Sequence, residues 1–394
     1  MLFHAIIASA ATFLAMLINY FFHFAMTRML SPDIYGELSI LIALLSYVII
    51  PSTVLQVYFT REMAKSKTDK LFKGYLKFSL LMGLAISIII FGASAYISGK
   101  LNDVNLTMPI RIIALGIPFA FMLSSIRSYY QAKENSNLIS FLIVLDPLIK
   151  ILVAVALVYL GFGLLGASMS LVLPTIIIFF AFIKLYFKKG SSEFDIKIIK
   201  PIATLLFLQV LLAIVFYVDL FFVRYYLGSE QAGYYNAVSI TSKVIAYSIG
   251  GISIVTYPKY AKIDMKKDIK KAKDLMLKSI AFVIPIFIIF VLMPEFIIKT
   301  LYTEKYVVAA GAFVILCFGM LFNTIFRIIM DFMISQRMEK SIIAMSAIAV
   351  IVDIVLLSML VPSRGISGAA IATSATFLLL LLMSLAIIAK NLKK

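Results

Sequence analysis

Runs of about twenty apolar residues follow one another along the whole chain, from MLFHAIIASAATFLAMLINYFFHFAM at the start to FLLLLLMSLAIIA near the end. Each run is long enough to cross a ~30 Å hydrocarbon core as a helix. The surface of a soluble domain needs about a quarter of its residues charged, whereas only 14% are charged here and 63% are hydrophobic. A transmembrane β-barrel would instead show alternating segments of ~10 residues. The pattern predicts an all-α integral membrane protein.

Twelve spans are predicted, near 3–26, 38–60, 75–98, 108–130, 138–160, 163–187, 198–225, 234–257, 277–300, 307–333, 341–361 and 365–389. The distribution of Lys and Arg tests the number, because cytoplasmic loops carry the basic excess. Alternate loops (61–77, 127–133, 184–200, 259–278, 337–340 and the tail 390–394) hold 26 of the 36 basic residues, and the opposite loops hold seven. Missing one helix would scramble that alternation, so both termini are expected in the cytoplasm. The same distribution accounts for the net charge of +17 without nucleic acid as a partner. The opening segment lacks a basic n-region and a small-residue cleavage site, and is expected to be a retained helix. One cysteine, Cys317, excludes a disulfide framework or a thiolate metal site within one chain.

Two halves are legible as an internal repeat. LSPDIYG (30–36) aligns with LGSEQAG (227–233), and 197 residues likewise separate TREMAK (60–65) from YPKYAK (257–262). QAKE (131–134) aligns with QRME (336–339), and GFGLLGAS (161–168) with SRGISGAA (363–370). A duplicated six-span unit inserts twice with the same orientation, giving two pseudo-symmetric parallel lobes. The expected lobes are 1–190 and 191–394, joined by the charged stretch 184–200. In the loop KIDMKKDIKKAKDLMLKS (262–279), apolar Ile263, Ile269, Leu275 and Met276 recur among lysines. It reads either as an amphipathic helix on anionic lipid or as a solvated connector.

L-S-P-x-x-Y-G-E-L-S entering the second span resembles the polysaccharide-export flippases, which move lipid-linked oligosaccharides across membranes. So do L-G-S-E-Q-A-G-Y-Y-N-A entering the eighth span, the P-K-Y-A that leaves it, and the G-x-x-G-A turns at 163–167 and 365–369. The resemblance covers the whole chain and extends to a superfamily that includes multidrug-cation exporters and peptidoglycan-precursor flippases. Many members place a glycine late in the second span, where this chain has VLQVYF (54–59). The resemblance implies two six-helix lobes around a central cavity that opens to each side in turn.

Enzyme motifs are lacking. SGK (98–100) ends like a phosphate loop, but position 94 is Ser where glycine is needed. No H-E-x-x-H or G-x-S-x-G occurs, and the short outer loops leave little room for a catalytic domain. Neither catalysis, a cofactor nor a bound metal is expected.

The candidate functional residues are the polar groups inside spans, because an intramembrane charge costs about 2.5–3.5 kcal/mol and so usually faces a partner, a cavity or a substrate. In the fifth span, Asp146 and Lys150 are i,i+4 neighbours on one face, with Pro147 between them removing an amide. They read as an internal ion pair or as a cavity site. The eighth span carries Asn236, Ser239, Lys243, Tyr247 and Gly250 on one stripe, and Ser46 in the second span is the repeat position of Lys243. The first span aligns Ser9, Thr12, Asn19 and His23; such stripes also serve helix packing. Lys243 has no acid one turn away, which favours a wet wall. Asp353 in the eleventh span lacks a partner in sequence and is a candidate proton or cation site; Asp146 and Asp219 are further coupling candidates. Asp219 with Arg224, and Arg327 with Asp331, read as pairs snorkelling to the membrane faces. His23 reads as a titrating or a packing histidine.

A cargo bearing a pyrophosphate needs fixed positive charge in a water-filled cavity, and Lys150 and Lys243 are best placed to supply it. The expected activity is therefore translocation of an isoprenoid-pyrophosphate oligosaccharide for polysaccharide biosynthesis. Expected partners are that lipid, bilayer lipids and glycan-synthesis or polymerase proteins. Two rivals stand beside this reading: a multidrug-cation antiporter, which would want an acidic cavity, and a non-transporting scaffold of a glycan-synthesis complex, which would gain nothing from intramembrane charge.

Overall fold

The computed structural model describes residues 2–66, 71–182, 184, 199–263 and 268–393. All regular elements among them are helical. They are α1 (Leu2–Met29), α2 (Pro32–Val48), α3 (Ile50–Ser66), α4 (Phe72–Lys100), α5 (Thr107–Ala132), α6 (Ser136–Leu157), α7 (Gly163–Ser170) and α8 (Leu173–Ala181). The second set is α9 (Ile199–Leu227), α10 (Ser229–Tyr247), α11 (Gly250–Tyr260), α12 (Ile269–Leu292), α13 (Pro294–Leu301), α14 (Ala310–Ser335) and α15 (Glu339–Lys393).

Among the described residues, nine helical stretches are long and apolar enough to span a bilayer. Three features bring this number into line with twelve spans. Glycine turns divide α6 from α7 and α15 into two halves, and the more polar α10–α11 forms a further broken helix. This is a multi-pass, all-α membrane protein. Breaks inside spans fall where the sequence removes amides or relaxes the backbone. Pro51 sits in the first turn of α3, Pro174 in that of α8 and Pro294 in that of α13, positions where the missing N–H has no helical acceptor to lose.

The chain forms two compact units, Met1–Val210 and Leu211–Lys394. The boundary expected at 190/191 lies outside the described residues. So do residues 264–267 of the stretch read as an amphipathic membrane-surface helix or a solvated connector. From Ile269 onward that stretch is already the first turns of α12, which runs unbroken into the apolar span. Its lysines pair along the helix, Lys271 with Asp268 and Lys278 with Asp274, each at 2.7 Å.

Within the first unit, Phe59 of α3 stacks on Tyr75 of α4 with ring centroids 4.0 Å apart. Beside this aromatic core, polar side chains tie α3 to α5. Gln131 Oε1 accepts from Gln56 Nε2 at 3.2 Å and from Thr60 Oγ1 at 3.0 Å. Ser79 and Ser125 join α4 to α5 at 2.7 Å. Such bonds between helices are worth about 1 kcal/mol each in a membrane.

The units share local features at fixed spacing. α5 and α14 each have 26 residues, and each is followed by a left-handed residue, Glu134 (φ 54°) or Arg337 (φ 58°). These matched ends, like the starts of α6 and α15, lie 203 residues apart, so the QAKE/QRME alignment, spaced at 205, is two residues out of structural register. Farther on, Gly163 (φ 49°, ψ −127°) and Gly365 (φ 59°, ψ −143°) adopt the same backbone conformation, 202 residues apart. The first unit's extra residue is absorbed by a π-turn at Val158–Phe162, the usual local response to a one-residue insertion in a helix.

Gly116 and Gly319 mark another matched contact. A Cβ at Gly116 would lie 2.4 Å from Val172 Cγ1, and one at Gly319 would lie 2.9 Å from Ser374 Cα. Close helix approach through small residues supplies much of the packing in a membrane. Gly319→Leu is therefore expected to destabilise by about 1–3 kcal/mol or more through overpacking, and to lower the yield of folded protein in detergent. Gly92→Ala, with nothing within 4 Å, should leave the yield unchanged; an equal loss in both would exclude this packing account.

Candidate functional site

In the first unit, α6 stays helical through Pro147, which leaves the carbonyl one turn earlier without its helical amide. Asp146 and Lys150 lie on this helix, but they do not form the expected ion pair. Asp146 Oδ2 instead accepts from Arg127 Nη2 of α5 at 3.0 Å, with side chains 33% and 24% exposed respectively. Lys150 donates to Asn19 Oδ1 of α1, and its Nζ lies 4.4 Å from the centre of the Phe22 ring. The i,i+4 spacing places both groups on one face, but their partners come from different neighbouring helices. Lys150 still feels the Asp146 carboxylate electrostatically.

The other first-unit candidates are satisfied locally. Ser46 donates to Ile42 O at 2.8 Å and Ser39 to Tyr35 O at 2.7 Å. His23 Nδ1 sits 3.0 Å from Tyr35 Oη in a buried pocket of aromatic edges. Ser9 lies where side chains are outside the described set.

The second unit gathers its charges more tightly. Lys243 of α10 is 4% exposed, and its Nζ lies 4.6 Å above Phe216 and 4.5 Å above Tyr217, both on α9. A desolvated cation over aromatic faces gains about 2 kcal/mol, which offsets part of the cost of burial. Asn236 and Ser239 lie buried on the same stripe. Tyr247 hydrogen-bonds Tyr217, the ring beneath Lys243.

Asp219 is 1% exposed and does not snorkel with Arg224 as expected. Its Oδ2 accepts from Tyr235 Oη at 2.6 Å and from Thr373 Oγ1 at 3.4 Å, and its Oδ1 accepts from the Leu220 amide at 2.8 Å. Asp353, fully buried, accepts from Thr376 Oγ1 at 3.0 Å through Oδ1, while its Oδ2 has no hydrogen-bond partner. Asp219 acts electrostatically on both Lys243 and Asp353, so an acid acts on Lys243 although none lies one turn away in sequence. Asp331 bonds Ser253 and feels Arg327 electrostatically.

Asp353 had only a rough match to Asp146 in the sequence repeat. Helix starts place it differently: it is the fifteenth residue of α15, as Lys150 is of α6. Arg127, Phe22, Phe216, Tyr217, Tyr235, Thr373 and Thr376 escaped the sequence reading. Thr373 and Thr376, three apart on one face, were the available signal. Among the described residues no His, Cys, Asp and Glu cluster suits a metal ion.

The profile of a family described as polysaccharide biosynthesis protein matches residues 25–311, most of the chain. The chain belongs to this polysaccharide biosynthesis family. No curated protein matches it. Solved structures share its fold at low identity. The lipid II flippase MurJ in an inward closed conformation has a TM-score of 0.78 at 17% identity, over 98% of this chain and 87% of that one. An inward-facing multidrug resistance MATE transporter of the MOP superfamily has 0.81 at 13%, over 99% and 98%. A MOP superfamily transporter from Pyrococcus furiosus, described as having a binding pocket of reversed polarity, has 0.70 at 14%, over 99% and 95%. The chain thus has the fold of membrane transporters.

Proposed function

We propose that this protein is a flippase that carries an isoprenoid-pyrophosphate oligosaccharide across the cytoplasmic membrane, by alternating access between two six-helix lobes. The single observation that carries the reading is the pair of intramembrane lysines. Lys150 and Lys243 are each held over aromatic rings, and neither has a carboxylate within ion-pair distance among the described residues. A compact ammonium held in this way holds phosphate as a point charge without demanding one geometry. Membership of a polysaccharide biosynthesis family and the fold shared with a lipid II flippase support the reading. Asn19, Ser46, Asn236, Ser239 and Tyr247 supply polar contacts to the cargo head while its lipid tail stays in the bilayer.

Coupling to a proton or cation rests on Asp353 and Asp219, with Asp146 as the first unit's carboxylate. The matched lengths, turns and glycines of the two units support an origin by duplication of six spans.

Deletion in the native host tests the function. Lipid-linked glycan should accumulate on the cytoplasmic face. Unchanged glycans with new sensitivity to cationic drugs would move the assignment to a multidrug antiporter; loss of complex assembly with unimpaired translocation would move it to a scaffold.

The topology has its own test. In a variant lacking Cys317, single cysteines at Asn105 and Ser363 should react with impermeant maleimide from outside. Cysteines at Lys133 and Lys340 should react only after permeabilisation. One reversed site would break the twelve-span arrangement with cytoplasmic termini.

A further inference from the structure

Arg127 counts among the basic residues at the expected cytoplasmic end of the fourth span, and its side chain reaches from α5 to α6. Its contact with Asp146 uses Nη2 alone, while its Nε is buried without any hydrogen-bond partner. A guanidinium presents its donors as a fork matched to two oxygens of one anion. The carboxylate therefore takes half of what the fork offers. Lys150 lies one helical turn from Asp146 on the same helix and turns its ammonium to the neutral Asn19. Two cations thus flank one carboxylate, for a net charge of +1. Both members of the Arg127–Asp146 pair are partly exposed, and lipid does not tolerate such a pair unless water or headgroups reach it.

Resting on the flippase reading above, we propose that Arg127 and Lys150 form a diphosphate site in the first unit. Asp146 occupies the Arg127 fork when the site is empty. An arriving diphosphate displaces Asp146 from Arg127, bonds both Nε and Nη2, and places its second phosphate toward Lys150. A monophosphate spans the two cations less well. Asp146 limits how tightly the cargo is held, so that it can leave.

The test uses the full chain in lipid nanodiscs, with equilibrium binding of farnesyl pyrophosphate, farnesyl monophosphate, farnesol and inorganic pyrophosphate. Wild type should bind farnesyl pyrophosphate at least tenfold more tightly than the monophosphate, and farnesol not measurably. Inorganic pyrophosphate should compete only at much higher concentration, which identifies a lipid headgroup as the ligand; equal competition would assign the site to free diphosphate and overturn the lipid cargo. Arg127→Gln should weaken binding at least tenfold and Arg127→Lys less. Asp146→Asn should tighten it severalfold. Because Arg127→Gln leaves Asp146 unpaired and lowers stability, the double variant with Asp146→Asn is included. It should melt close to wild type and still bind weakly.

Wild-type affinity in the double variant would overturn the site and leave the flippase reading intact. Absence of binding to any pyrophosphate by the wild type would overturn both.

Discussion

Asp353→Asn is expected to leave the protein folded and abundant while making transport indifferent to an ion gradient. Asp353 is fully buried, with one oxygen held by Thr376 and the other without a partner. A buried polar atom left unsatisfied costs about 1–3 kcal/mol, and more when it carries charge. A bound proton or alkali cation offsets that cost, and asparagine keeps the shape while removing the charge. Asp219, whose charge reaches Asp353, keeps its bonds to Tyr235 and Thr373 in the variant. Transport driven by a gradient should therefore fall to the rate measured without one, with the melting temperature unchanged or raised. Dependence on the gradient equal to that of wild type would remove Asp353 from coupling.

How much of this was legible in the sequence depends on the distance over which each interaction acts. Span positions follow from local hydrophobicity, and the observed ends differ from the predicted ones mainly where a helix extends by a turn or breaks at a proline. Lys150 and Lys243 were visible because any charge amid apolar residues stands out. Their partners were not. The i,i+4 spacing of Asp146 and Lys150 says only that they share a face, and which neighbouring helix meets each is a tertiary fact. Arg127 was hidden by the positive-inside pattern itself: counted among the basic residues at an expected cytoplasmic end, it looks like any loop lysine until its bond to Asp146 of α6 is seen. Asp219 was hidden similarly, since Arg224 lies close in sequence while Tyr235 and Thr373 lie on other helices. The aligned motifs did not carry the spacing of the matched helices. One extra residue taken up as a π-turn shifts every later alignment, and only matched helix starts show that Asp353 stands where Lys150 does.

Lys150→Gln should abolish glycan export without reducing the amount of protein. An intramembrane lysine costs about 2.5–3.5 kcal/mol, and its ring contact returns about 2 kcal/mol. Replacing it by a neutral residue of similar length is therefore close to neutral for stability. Glutamine can still donate to Asn19. Because Asp146 is paired with Arg127, the substitution does not strand a carboxylate, which would itself cost about 3–5 kcal/mol in a buried pair. Loss of function and loss of folding are thus separable at this position. If Lys150 contacts the anionic head of the cargo, export should fall at least tenfold, and Lys150→Arg, which keeps the charge, should retain part of it. Adding Asp146→Asn removes the neighbouring negative charge but not the need for a positive one, so the double variant should stay inactive. The measurement is surface glycan in a deletion strain complemented with each variant, normalised to protein abundance. Export at the wild-type level by Lys150→Gln would show that the lysine serves helix packing through Asn19 and Phe22 alone.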